Sequence, residues 1–265
     1  MRLTSKDTVA TNSLVKLKDN NWLVKQKVAG KVAAQTLILL EKLTKDKTTK
    51  SLIELNNIAE EFIINNGCSC TFKGYKGFPA GVCISINKQL VHGIPTDYKL
   101  QEGDLVSFDL GTTFEGAIAD TAITCIYGEP KSELHVKLVK ATEEALLKGI
   151  EAIGVGKRLG CIGNAISRCA KGYGYNVIYK YGGHGLTWNN PHCEPFVSNK
   201  SEANEGIRIQ PGLTIAVEPM LVENNIDTYI DKDGWTVWCP GGMSAHFEHT
   251  LYIHEDHVEI ITKRE

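Results

Sequence analysis

The sequence predicts an α+β fold made of two repeated halves, each with two helices followed by several strands. Three observations carry this expectation. Helical periodicity appears twice, and β-like runs follow it both times. Each half then places two carboxylates on strands. Each half also carries one His-Gly turn, "VHGIP" in the first and "GHGLT" in the second.

Residues 1–19 read as a polar arm, and residues 20–262 as a single domain with halves at about 20–130 and 131–262. From Asn20 to about Leu43, apolar residues recur at helical spacing through Val24, Val28, Ala33, Leu37 and Leu40. A second helix runs through "SLIELNNIAEEFIINNG", with Ser51 and Glu54 spaced as a capping box and Gly67 as its stop. The strand-like runs "GVCISIN", "KQLVHG", "DLVSFDL" and "AIADTAITCIYG" follow. In the second half, "SELHVKLVKATEEALLKGIEAIG" predicts a helix closed by Gly154. "GKRLGCIGNAISRCAKGYG" predicts a weaker one closed near Gly172. "YNVIYK" opens the second set of strands, which ends in "WTVWCP" and "HTLYIHED".

With 265 residues, 42% hydrophobic and 23% charged, the chain can bury a proper core. A net charge of −2 offers no electrostatic argument for DNA, other nucleic acid or a membrane surface. No apolar run approaches bilayer length, and the N-terminus has no apolar export segment. The eight cysteines form no CxxC pair and are expected to be reduced in a cytosolic protein. Cys68-Ser-Cys70 has metal-pair spacing but no matching second pair.

The two halves echo each other in detail. Asp109 lies six residues after Gly103, as Glu218 does after Gly212; "ADTAITCIYGE" and "FEHTLYIHED" align Asp120 with Glu248. His92 aligns with His184 in the same way. A hairpin folded about Phe114–Glu115 places Asp109 opposite Asp120, where like charges on one strand pair are destabilising. A shared proton, a basic partner or a divalent cation relieves such repulsion. If the halves pack together, Glu218 and Glu248 join the pair, no arginine stands nearby in sequence, and a pair of cations is the economical solution. His184 completes a five-ligand set suited to Mn²⁺, Fe²⁺ or Co²⁺, with Zn²⁺ also compatible. Two such ions about 3.5–4 Å apart acidify a bridging water, so the reaction class is hydrolysis.

At this point the chain resembles the type I methionine aminopeptidases, whose pita-bread fold is shared with aminopeptidase P, prolidase and creatinase. The similarity runs from about residue 20 to 262 and rests on "CISINKQLVHGIP", "GDLVSFDLGTTFEGAIADTA", "YGGHG", "HCEP", "PGLTIAVEPM" and "MSAHFEHTL". It implies a curved antiparallel sheet with the site on its concave face. By the same resemblance, Asp109 chelates one metal, Asp120 and Glu248 bridge both, and His184 and Glu218 complete the other site. His92 would contact the scissile nitrogen, His192 would position the substrate carbonyl, and Glu218 would also serve as general base. Tyr75, Phe78, Cys83, His92 and Trp235 would wall a methionine cleft, where aromatic rings suit a thioether.

The resemblance implies a monomeric cytosolic enzyme that removes the initiator methionine from nascent polypeptides, and leaves open whether the ribosome is a partner. The gap of 34 residues from His184 to Glu218 excludes the helical insertion of type II enzymes. Three other readings stay open: an Xaa-Pro peptidase, a catalytically silent module binding RNA or protein, and a purely structural duplicated domain. Residues 1–19 are too few for the N-terminal domain usual in the first, and no basic tail supports the second.

The chain departs from the pattern in "GHGLTWNNPH", which has Thr187 for the second glycine, one extra residue before His192, and Pro191 for a cleft aromatic. Trp188 is a candidate replacement, and Phe72 stands where some relatives have a second cleft cysteine. The segment "WTVWCPGGMSA" is also shorter than in many bacterial relatives. His254 and His257 in "HEDH" read as a solvated strand end, and "HFEH" lacks the helical context of a zincin motif.

Overall fold

Local signals start and stop the helices. The computed structural model of the protein describes residues 14–47 and 51–265. Helix α1 (Asn20–Lys45) opens where Asp19 accepts the Trp22 amide at 2.9 Å. Helix α2 (Leu52–Asn65) has the expected reciprocal capping box between Ser51 and Glu54. Helix α3 (Glu133–Glu151) is capped by the Ser132 hydroxyl and ends at Ala152, before Gly154. Helix α4 (Gly160–Tyr173) ends at Gly174 rather than Gly172, because Gly174 is the residue in the left-handed conformation that releases a helix.

In the first half, β1 (Ser69–Cys70), β2 (Cys83–Ile86) and β3 (Gln89–Val91) precede two long strands, β4 (Leu105–Phe114) and β5 (Ala117–Ile126). The second half begins with β6 (Asn176–Val177), β7 (Gly183–Thr187), β8 (Asn190–Val197), β9 (Thr214–Val217) and β10 (Met220–Val222). It closes with β11 (Tyr229–Ile230), β12 (Val237–Trp238), β13 (Ser244–His246), β14 (His249–Ile253) and β15 (Val258–Ile260). One antiparallel sheet centres on β4, flanked by β1, β2 and β5; a second has the order β15-β14-β9-β7-β8, and two three-stranded sheets run β13-β10-β6 and β11-β12-β3.

The halves meet along β5. Ala122 bridges Glu248, and the Thr121 and Thr124 hydroxyls donate to the carbonyls of Glu248 and His246 at 2.8 and 2.9 Å. Threonine hydroxyls thus continue the pairing where the two sheets diverge and the backbone ladder stops. One large core cluster draws on all four helices and on strands of both halves.

Three expectations are corrected. The β4–β5 hairpin turns at Glu115–Gly116, both with positive φ (46° and 84°), not at Phe114–Glu115. Asp109 therefore pairs with Ala122 and Asp120 with Gly111, so the aspartates are diagonal neighbours on one face. Side-chain parity survives because the register differs by two residues. On α1, Val24 and Val28 face outward, and the buried stripe is Trp22, Ala29, Ala33, Leu37 and Leu40. This stripe follows the strands under the helix, where Gln26 donates to the Ile118 carbonyl and the Thr112 hydroxyl to that of Ala29. Of the expected arm, residues 1–13 lie outside the described residues. Its end is tied down, with the Lys18 amide on the Gly212 carbonyl and the Tyr252 hydroxyl on the Lys18 carbonyl.

Candidate metal centre and substrate cleft

Strands of both halves bring the five predicted ligands together. Asp109 projects from β4 and Asp120 from β5, Glu218 directly follows β9, and Glu248 directly precedes β14. Because Val217 pairs with His249, the ladder brings Glu218 and Glu248 across from each other. His184 sits in β7 between Gly183 and Gly185. A Cβ on Gly183 would overlap the Ala216 carbonyl oxygen, and one on Gly185 the Glu194 carbonyl oxygen. The glycines let β7 pass between its neighbours and carry the imidazole inward.

His184 Nε2 stands 3.6 Å from Glu218 Oε1, 3.9 Å from Asp120 Oδ2 and 4.0 Å from Glu248 Oε1. The ligand atoms fall into two close groups, Asp109–Asp120–Glu248 and His184–Glu218–Glu248, each within 4.8 Å. Glu248 belongs to both groups, and Asp120 joins a third with His184 and His192.

This donor set fits divalent cations. Asp109 Oδ1, Asp120 Oδ1 and Glu248 Oε1 are buried without hydrogen-bond partners among the described residues. Unsatisfied buried carboxylate oxygens are costly, and oxygen-rich sites with one imidazole suit first-row metals. Without a cation, burial and then mutual repulsion push Asp109 and Glu248 well above the usual carboxylate range. Asp120 is raised to about 6, chiefly by burial, with His184 opposing. Burial would also raise Glu218, but the His246 imidazole 3.5 Å away and then His184 leave it below its ordinary value.

Two basic partners escaped the sequence reading. Arg264 folds back so that its guanidinium donates to the Thr121 hydroxyl at 3.2 Å and favours ionised Glu248. His246 is almost fully buried, with Nε2 3.5 Å from Glu218 Oε2 and no hydrogen-bond partner for that nitrogen among the described residues. Its signal was the spacing "HFEH", where strand alternation puts His246 and Glu248 on one face.

A cleft of about 350 Å³ opens onto the carboxylates. All five predicted wall residues, Tyr75, Phe78, Cys83, His92 and Trp235, line it. Phe78 meets Trp235 edge-on at 5.2 Å, and Cys83 pairs directly with Asp109, so the apolar pocket adjoins the carboxylates. Burial, then Asp109, raises the Cys83 thiol well above its ordinary value, so it stays neutral. Trp235 is fixed by its amide on Asp233 at 2.8 Å.

His92 takes a left-handed φ of 59°, uncommon for a side chain of its size. Its ring lies edge-on to Tyr181 and Trp235. Burial lowers its pKa. The His192 ring lies tilted against those of His184 at 4.4 Å and Tyr75 at 5.3 Å. It keeps solvent contact at the cleft mouth, yet the cleft walls, and then His184, hold it neutral with a pKa of about 3.

Trp188 does not replace the missing cleft aromatic. It packs on Trp22 at 4.8 Å instead, because the turn at Asn189 bends the β7–β8 hairpin towards α1. Phe72 and Phe196, distant in sequence, supply aromatic wall. No cysteine joins a metal-ligand group among the described residues.

Two pseudo-symmetric halves converging on a carboxylate–histidine centre beside an apolar cleft define a metal-dependent hydrolase. The chain belongs to metallopeptidase family M24, whose model matches residues 25–255. It is 40% identical to the methionine aminopeptidase of Mycoplasma capricolum over 95% of this chain and all of that one. The Clostridium perfringens methionine aminopeptidase is 38% identical over 94% of this chain and 99% of its own. The crystal structure of Thermotoga maritima methionine aminopeptidase superposes with a TM-score of 0.90 at 34% identity, covering 94% of this chain and all of that one. Prolidase from Pyrococcus furiosus shares the fold with a TM-score of 0.75 at 21% identity, and only 68% of its chain is covered. The fold is thus the pita-bread arrangement that the motifs implied.

Proposed function

We propose that the protein is a methionine aminopeptidase that removes the N-terminal methionine from nascent polypeptides, using divalent metal ions. The observation that carries this reading is the pair of ligand groups sharing Glu248 at the edge of an apolar, aromatic-walled cleft. Identity of 40% and 38% to methionine aminopeptidases, against 21% to a prolidase, supports it over the Xaa-Pro reading.

Asp109, Asp120, His184, Glu218 and Glu248 would hold two ions, with Asp120 and Glu248 shared; Mn²⁺, Fe²⁺, Co²⁺ and Zn²⁺ all suit this set. Bound there, the ions supply Lewis-acid polarisation and acidify water. Glu218, the carboxylate most readily ionised, accepts the proton of the attacking water and passes it to the leaving amine. Neutral His92 offers a ring nitrogen to the scissile peptide, and neutral His192 donates to the substrate carbonyl. Phe78, Cys83 and Trp235 receive the methionine side chain, whose unbranched thioether packs against the rings.

Residues 20–262 form the catalytic domain in this reading, and the enzyme acts as a cytosolic monomer. No helix among the described residues is long and apolar enough to cross a membrane.

The decisive assay compares Met-Ala-Ser with Gly-Pro peptides in Mn²⁺ or Co²⁺, before and after a chelator. Methionine release from Met-Ala-Ser is expected to fall to background on chelation and return when metal is restored. Release from Gly-Pro peptides alone would favour the Xaa-Pro reading, and none from either a silent binding module.

His246 acts as a positioning residue that orients Glu218. Replacing it by leucine is expected to lower both metal affinity and kcat by roughly 10- to 100-fold, as loss of a ligand's outer partner does. His246→Gln, which can still donate to Glu218, should recover most of both. Metal content by mass spectrometry checks the affinity separately from turnover. Equal losses in the two variants would sink the role.

A further inference from the structure

The β14–β15 hairpin carries a second histidine–carboxylate cluster that shares no residue with the catalytic centre. Ile253 pairs with Val258 and Tyr252 with Glu259, and the His254 amide donates to the His257 carbonyl at 2.9 Å. His254 and His257 are therefore partners across the two-residue turn Glu255–Asp256. Strand alternation adds Glu259 to their face. One ligand atom from each of His254, His257 and Glu259 lies within 4.8 Å of the others.

The arrangement is built for more than a solvated strand end. The two imidazoles stack nearly parallel, 4.2 Å apart, and Tyr252 lies edge-on to His254 at 4.9 Å. His254 Nε2 meets Glu259 Oε2 at 2.8 Å, while Lys27 holds the other carboxylate oxygen at 2.8 Å. His257 Nδ1 meets Asp256 Oδ1 at 2.7 Å, leaving Nε2 as its ligand nitrogen. A carboxylate behind an imidazole is the usual outer partner of a metal-bound histidine, fixing its tautomer and raising its basicity.

We propose that His254, His257 and Glu259 form a second, surface binding site for a borderline transition-metal ion such as Zn²⁺ or Cu²⁺. Two imidazoles and a carboxylate match the three-ligand sites these ions take, with the remaining position open to water. The His257 side chain keeps 58% of its exposure, so the site can be reached from solution. Because a ligating lone pair lies in the ring plane, the exposed His257 ring turns out of its stack on His254 to bind the ion, which replaces the His254–Glu259 hydrogen bond and competes with Lys27 for the carboxylate. Binding clamps β14 to β15, and β14 begins directly after Glu248.

The test is Zn²⁺ titration of the metal-stripped full-length protein against a chromophoric chelator. Wild type should bind one more equivalent than His257→Ala. A variant with Asp120→Asn and Glu248→Gln should keep the hairpin equivalent and lose it when His257→Ala is added. Asp256→Asn should weaken this equivalent at least about tenfold, and Lys27→Met should tighten it. With Cu²⁺, paramagnetic resonance should show coupling to two nitrogens that His254→Asn reduces to one. Methionine release in saturating Mn²⁺ should be unchanged in His257→Ala. A zinc isotherm unaffected by His257→Ala, in wild type and in the catalytic double variant alike, would overturn the proposal. It would leave the catalytic reading untouched.

Discussion

Asp120→Asn is expected to lower methionine release by at least about 10²- to 10³-fold, the scale of losing one preorganised electrostatic group. The same change should make the metal-free protein more stable. Asp120 is fully buried beside three other carboxylates, and its pKa rises from 3.8 to about 6. Between those values the folded chain keeps a proton that the unfolded chain releases, so stability falls as pH rises from about 4 to about 6. Above pH 6 the ionised side chain is a net cost to the metal-free fold relative to pH below 4. Asparagine carries no such charge.

Thermal unfolding of the metal-free proteins should therefore show little difference at pH 4. A gap favouring the variant should open by pH 6 and persist at pH 7.5. Bound cations reverse the sign, because they stabilise wild type more than a chain with one ligand oxygen removed. A wild type that remains the more stable form without metal at pH 7.5 would contradict the repulsion on which the metal assignment rests.

Gly185→Ala is expected to destabilise the protein by about 3 kcal/mol, the upper range for overpacking. A Cβ there would overlap the Glu194 carbonyl oxygen and lie 2.8 Å from its carbon, and both belong to backbone that cannot turn aside. The melting temperature should drop by roughly 6–12 °C. Metal affinity should fall with it, because His184 precedes Gly185 and shares its strand. Gly172→Ala is the control: a Cβ there meets nothing within 4 Å, in a helix. It should be neutral or stabilise by up to about 1 kcal/mol. If Gly185→Ala melts like wild type, the close passage of β7 beneath β8 is wrong.

Much of the centre was legible in sequence because it is written in strands. Asp109, Asp120, Glu218 and Glu248 stood out as carboxylates in apolar strand runs, and the echo between halves linked them. Parity along a strand is local, so their shared face could be read directly. The hairpin register could not, because positive φ at Glu115 as well as Gly116 moved the turn by one residue and the pairing by two. Trp188 was misplaced for a similar reason, since the direction of the β7–β8 hairpin depends on its turn and on α1 beneath it. The cleft residues came from the family resemblance, and each of them lines the same cavity.

By itself, the sequence determined the duplicated α+β plan, the five candidate ligands and the methionine aminopeptidase resemblance, because residue identity, spacing and alternation are local properties. Only the tertiary structure decided the distances among the ligands, that His246 stands behind Glu218, and that Arg264 folds back to Thr121 where it favours ionised Glu248. Those neighbours come from strand ends and a terminus far apart along the chain. Their distances depend on how the two halves close on each other, which no single segment encodes.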